Sequence, residues 1–187
     1  MSTIWKRRIA LMAVVALVVA VPVTLIVRDR DEGSGSPAAD APELRSTKLY
    51  RDLGVKLALP RGWREKRGEG VLGLRRTDGG ARIAISSPGP AGDADRLHDE
   101  TVAELRGSYR DFDVLRRIDR TEVGGLRGRA TAIAAAARKG GAPVRLLVST
   151  ARGKKRAYLL VIVVSGSDRG RSLVEAQAIV NELKLVG

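Results

Sequence analysis

Val55, Leu57 and Leu59 alternate with Lys56 and Ala58, the period-two pattern of a half-buried strand. Pro60, Arg61 and Gly62 turn the chain, and Trp63 begins the next short strand. Leu72 and Leu74 share one face of a third. The Thr77-Asp78-Gly79-Gly80 sequence then makes a hairpin, with Ala81, Ile83 and Ile85 pointing inward. Residues 86–92 (SSPGPAG) end this sheet segment.

Asp93 or Asp95 is placed to cap a helix whose apolar side is Leu97, Thr101, Val102, Leu105 and Tyr109. Residues 112–123 read as extended but poorly patterned, and Gly124 and Gly125 turn out of them. The strand at 126–136 has one face of Leu126, Gly128, Ala130, Ala132 and Ala134, small enough for a helix to approach closely. A turn at 138–141 leads to a strand at 144–150, and a second turn at 152–156 leads to LLVIVV at 159–164. That run is apolar on both faces and predicts a central strand covered on each side. Ser172 with Glu175 has the form of a capping box, and Leu173, Ala176, Val180 and Leu183 make the stripe of a closing helix, with Glu175 off it. About seven short, mostly hairpin-linked strands and two helices predict an antiparallel α+β domain.

The N-terminus changes the setting. Residues 9–27 (IALMAVVALVVAVPVTLIV) carry no charge over 19 positions, enough to span a ~30 Å hydrocarbon core as a helix. Lys6, Arg7 and Arg8 precede them, with Trp5 at the interface, and Pro22 is tolerable in a spanning helix. A cleaved signal peptide usually has a shorter apolar core, so an uncleaved anchor is expected. Three cations before the span against Arg28 and Arg30 after it set the N-terminus inside and the C-terminal domain outside the plasma membrane. Residues 31–43 (DEGSGSPAADAPE) hold no large apolar residue and form a flexible tether. The expected organisation is a cytoplasmic tail at 1–8, a transmembrane helix at 9–27, a tether at 28–48 and a domain at 49–187.

Composition narrows the chemistry. Of 187 residues, none is Cys, which removes thiol catalysis, zinc–cysteine sites and disulfides. The single His98 leaves at most one candidate base and no multi-histidine metal site. Residues 44–187 hold 29 Lys and Arg against 16 Asp and Glu, so the net charge of +13 falls entirely on the domain. Such charge favours anionic surroundings. The compositional explanation is a high-GC bias, since Arg outnumbers Lys 26 to 8.

VKLALPRGW (55–63) resembles the opening V-x-h-x-h-P-x-G-W hairpin of the PsbP-like domain family, which includes an extrinsic photosystem subunit and bacterial relatives such as DcrB and LpqN. VGGLRGRATAI (123–133), the closing hairpin RLLVSTARGKKRAYLLVIVV and the terminal SLVEAQAIVNELKL are similar too. The resemblance covers about residues 49–185. It implies a curved antiparallel sheet between helices in a binding, assembly or envelope protein, with no shared catalytic residues to carry over.

Other motifs have ordinary explanations. Residues 68–73 (GEGVLG) match G-x-G-x-x-G, but strand-like sequence follows where a dinucleotide site needs a helix. Ser165, Gly166, Ser167 and Asp168 suit a turn better than a nucleophile elbow. His98 reads as exposed and untethered, and the Asp93/Asp95 and Asp111/Asp113 pairs as solvated acids. No metal or other cofactor is expected.

The basic clusters remain. Arg152, Lys154, Lys155 and Arg156 crowd a hairpin tip, Arg61 and Arg64 flank Trp63, and Arg127 and Arg129 project from one face of a strand. Clustered cations attract phosphates or anionic headgroups. Aromatic residues do not interleave with them as stacking platforms would, which disfavours nucleic acid. The expected function is a non-catalytic envelope protein binding a protein partner or an anionic surface. The alternatives are a cytosol-facing domain for nucleic acid or inner-leaflet lipid, and a small-molecule or lipid module with a cleft near Trp63.

Overall fold

The computed structural model describes residues 42–166 and 170–186. Along these the chain forms β1 (Lys48–Tyr50), β2 (Val55–Leu57), β3 (Trp63–Gly68), β4 (Val71–Arg76) and β5 (Ala81–Pro90). A 3-10 turn (Ala91–Asp93) leads into α1 (Ala94–Ser108), followed by β6 (Tyr109–Val123), β7 (Leu126–Ala137), β8 (Pro143–Arg152) and β9 (Arg156–Ser165). The chain closes with α2 (Arg171–Glu182) and β10 (Lys184–Leu185).

Seven strands pair antiparallel in the order β3-β4-β5-β9-β8-β7-β6. The LLVIVV strand is the central one, and its residues are buried on both faces. Leu159, Val161 and Val163 face a core shared with Leu97 and Leu105 of α1. Leu160, Ile162 and Val164 face a second core with Ala176 and Ile179 of α2. A continuous apolar run needs two covering layers, and the two helices supply them on opposite faces. Leu105 is fully buried, so truncating it to Ala costs about 2–5 kcal/mol.

Several local expectations are corrected. β2 does not form a hairpin with β3; it sits between β1 and β10 in a separate three-stranded sheet packed on the α2 side. Leu44 bridges Pro60 and Lys48 opens β1, so ordered structure reaches back before residue 49. The poorly patterned 112–123 stretch belongs to the edge strand β6, where neither face is deeply covered. Three register shifts and Asp111 at φ 49° break its pairing with β7. Charge and bulges of this kind protect an edge from pairing with another chain.

Helix α1 packs on Thr131, Ile133 and Ala135, not on the small-residue face of the same strand. The closing helix is rotated from its predicted phase. Gly170 is its N-cap, Leu173 is 49% exposed, and Ser172 and Glu175 point into the core. The predicted anchor at 9–27, with its flanking tail and most of the tether, lies outside the described residues. Among the described residues no helix is long and apolar enough to cross a membrane.

Strand register gives the sheet two ends. Leu44, Pro60, the start of β3 and the β7–β8 turn share the end where the chain joins the domain. The β8–β9 tip, the β6–β7 turn and the start of α1 share the other, which we call the distal end. Ten-residue strands such as β8 and β9 separate the two ends by roughly 30 Å.

Candidate functional site

The β6–β7 hairpin closes through Gly124 and Gly125, both at positive φ, directly after Val123 and before Leu126. That turn sets Arg127 and Arg129 on the α1 side of β7. Arg129 reaches Asp119 of β6 at 3.3 Å, Asp99 of α1 at 3.4 Å and Asp95 at 3.9 Å. Arg152, at the end of β8, pairs with the same Asp95 at 3.1 Å. The acids read as merely solvated therefore divide: Asp95 is shared by two arginines, while Asp93 pairs with Arg96 at 3.1 Å.

Between the first turn of α1, the end of β6 and the start of β7 lies an open cleft of about 920 Å³. Arg120, Arg127, Arg129 and Arg152 line it, with Glu122 at its side and Thr150 among the lining residues. Arg129 and Arg152 are committed to carboxylates; the side chains of Arg120 and Arg127 have no hydrogen-bond or ion-pair partner among the described residues. Arg120 and Glu122 were not legible as site residues. They lie on an irregular edge strand and come to Arg127 only through hairpin register, in which Glu122 is its cross-strand neighbour.

His98 is buried, contrary to the exposed position expected. One ring nitrogen lies 2.8 Å from the Thr131 hydroxyl and the other 3.3 Å from that of Thr150. Burial, then the nearby Arg129 guanidinium, holds its pKa below the usual imidazole value, against the pull of Asp99 and Asp95. Both hydroxyls are themselves buried, so this trio braces α1 on the sheet and presents no nucleophile to solvent. Among the described residues no group of three or more His, Asp or Glu side chains gathers as metal ligands would.

The hairpin-tip cations separate by role. Lys154 and Lys155 are exposed and unpaired among the described residues, whereas Arg156 donates to the Asp52 carbonyl at 3.0 Å and ties down the β1–β2 turn. Arg61 and Arg64 lie on the other side of the molecule, at the chain-entry end of β3. Arg61 meets Glu43 at 3.5 Å and Arg64 is exposed. Trp63 lines neither the distal cleft nor the smaller hollow beside His98. It is 2% exposed, because its ring fills the core beneath α2 and its indole N–H finds an acceptor there. Residues 68–73 form the β3–β4 hairpin turn and its flanks, with no helix opening from them.

No protein-family model matches this sequence, and no curated protein does. Solved structures match its shape. PsbP (CyanoP) from the cyanobacterium Synechocystis aligns with a TM-score of 0.50 at 16% identity, over 82% of this chain and 98% of its own. The fold is PsbP-like. LpqN, involved in cell envelope biogenesis of Mycobacterium tuberculosis, aligns with a TM-score of 0.51 at 13% identity, over 76% of this chain and 90% of its own. A Bacteroides thetaiotaomicron protein matches 74% of this chain at 13% identity and a TM-score of 0.50, and the chain spans 47% of its length. At these identities the likeness is one of fold. The distal cleft described above belongs to this chain's own residues on the PsbP-like sheet.

Proposed function

We propose that this chain is a non-catalytic envelope protein, anchored in the plasma membrane by residues 9–27, whose extracytoplasmic PsbP-like domain binds an anionic partner. The partner is an acidic protein surface or an anionic envelope polymer. One observation carries the reading: Arg127 and Arg129 from the β6–β7 hairpin and Arg152, Lys154 and Lys155 from the β8–β9 hairpin collect at the distal end of the sheet. Leu44 bridges Pro60 at the opposite end of the sheet, so the described chain enters the domain away from this basic end. The LpqN likeness adds weight, since that protein acts in cell envelope biogenesis.

Lys154 and Lys155 give the cleanest test, because Arg156 is structural and its replacement would disturb the β1–β2 turn. The K154E/K155E full chain is expected to bind isolated cell-wall material at least about thirtyfold more weakly than wild type at low salt, at roughly 1 kcal/mol for each of the two surface cations. Wild-type binding should also fall at high salt. Equal retention of both proteins on the wall fraction would remove the hairpin from the contact. Protease treatment of intact spheroplasts checks topology: the domain is expected to be cleaved, and protection would reverse the orientation.

A further inference from the structure

The geometry points to the distal cleft as a binding site for a ligand ending in an oxyanion, a carboxylate or a phosphate, held by Arg120 and Arg127. This rests on reading the domain as a binding module and gives that module a defined pocket. Four arginines surround the cleft, but they are not equivalent. Arg129 and Arg152 already pair with Asp95, Asp99 and Asp119, in exposed ion pairs that link α1, β6, β7 and β8. Arg120 and Arg127 keep their donors available among the described residues. A guanidinium presents a planar fork that matches carboxylate and phosphate oxygens two at a time, and Arg120 and Arg127 bring two such forks to one cleft.

One wall of the cleft is closely packed. Thr150 is 1% exposed and tied to His98, and Gly128 approaches it so closely that a Cβ there would lie 2.1 Å from the Thr150 carbonyl oxygen. Preorganised walls reduce the ordering cost of binding. The volume of about 920 Å³ lies within the range of small-molecule sites, roughly 300–1,000 Å³, and accepts a body well beyond the oxyanion itself.

Glu122 supplies an internal control. It lines the same cleft opposite Arg127 in register, without an ion pair between them, and its charge opposes an incoming anion. Removing it should strengthen binding, whereas a purely structural role would not predict that sign.

The experiment is calorimetric titration of the full chain in detergent micelles with inorganic phosphate and, separately, with a tetraglutamate peptide. Saturable binding of at least one probe is expected, at least fivefold weaker in R120Q and R127Q and tighter in E122Q. K154E/K155E should change it less than twofold. Phosphate alone saturating assigns a phosphate group, the peptide alone a carboxylate, and both a general oxyanion site. Absence of saturation with either probe overturns the site. So does equal weakening by R127Q and K154E/K155E, which would mean diffuse charge attraction, or weaker binding in E122Q. Arg120, Glu122 and Arg127 are exposed, and an unchanged melting temperature in each variant shows that the comparison is between folded proteins. Loss of wall binding with intact probe binding would fail the function proposed above and leave the cleft standing; the reverse pattern would fail the cleft alone.

Discussion

The indole N–H of Trp63 donates to Glu175 Oε2 at 2.8 Å, joining the first residue of β3 to a helix 112 residues further on. The same carboxylate oxygen accepts from Arg76 Nε at 2.9 Å, and Arg76 Nη1 donates to the Ser172 hydroxyl at 2.8 Å. Arg171 Nε reaches the other carboxylate oxygen at 2.9 Å. Glu175 is therefore the polar centre that docks α2 onto the edge of the sheet, with its charge matched by two guanidinium groups.

Removing that centre leaves a buried guanidinium and an indole N–H short of an acceptor. Glu175→Ala is expected to destabilise the protein by about 3 kcal/mol, since breaking one partner of a buried pair costs that order. Asp78 still pairs with Arg76 and limits the loss. Glu175→Gln keeps an acceptor for Trp63 and should cost clearly less. Denaturant midpoints measure both, and an unchanged midpoint for the alanine variant would show that α2 docks without this cluster.

His98 should make stability depend on pH in a defined window. Its folded pKa lies below that of the unfolded chain, about 6.5, because burial and Arg129 disfavour the imidazolium. Below that value the unfolded state binds the proton more readily, so the stabilisation is full above 6.5 and is lost as pH falls toward the folded pKa. The melting temperature is expected to drop between pH 7 and pH 5, and His98→Asn should flatten that slope. Glu65 acts lower: Lys48 and then Tyr50 hold its pKa below 4.5, so its contribution disappears only in stronger acid. Identical slopes for wild type and His98→Asn between pH 7 and 5 would exclude the imidazole as the titrating group.

Arg129 is the strut of the cleft. Its partners are well exposed, so Arg129→Gln should lower global stability by less than about 1 kcal/mol. Locally, Asp119 loses its tie to α1, and amide hydrogen exchange in β6 around Asp119 should quicken about fivefold. Exchange confined to its wild-type rate would mean that strand pairing with β7 alone fixes the edge.

Legibility in the sequence followed burial. The 159–164 run identified the central strand because a doubly covered strand must be apolar throughout. The TDGG hairpin and the Gly124-Gly125 turn were legible because few residues adopt positive φ there. α2 was found but mis-phased: Glu175 looked solvent-facing because nothing near it in sequence announces Arg76 and Trp63. The same limit hid His98, whose burial depends on Thr131 and Thr150 arriving from two strands. Of the eight basic candidates, Arg127, Arg129 and Arg152 converge on one cleft, while Arg61 and Arg64 lie elsewhere and Arg156 is structural.

By itself, then, the sequence determined the α+β class, the antiparallel hairpins, the two helices and a basic domain, since periodicity, turn chemistry and charge are local properties of the chain. Tertiary structure alone decided that β2 leaves β3 for a separate small sheet, that Glu175 is a core anchor, and which cations share a cleft. Those outcomes depend on strand order and register, which bring together residues as far apart as Asp95 and Arg152. No local pattern encodes that proximity, because it exists only once the sheet has closed.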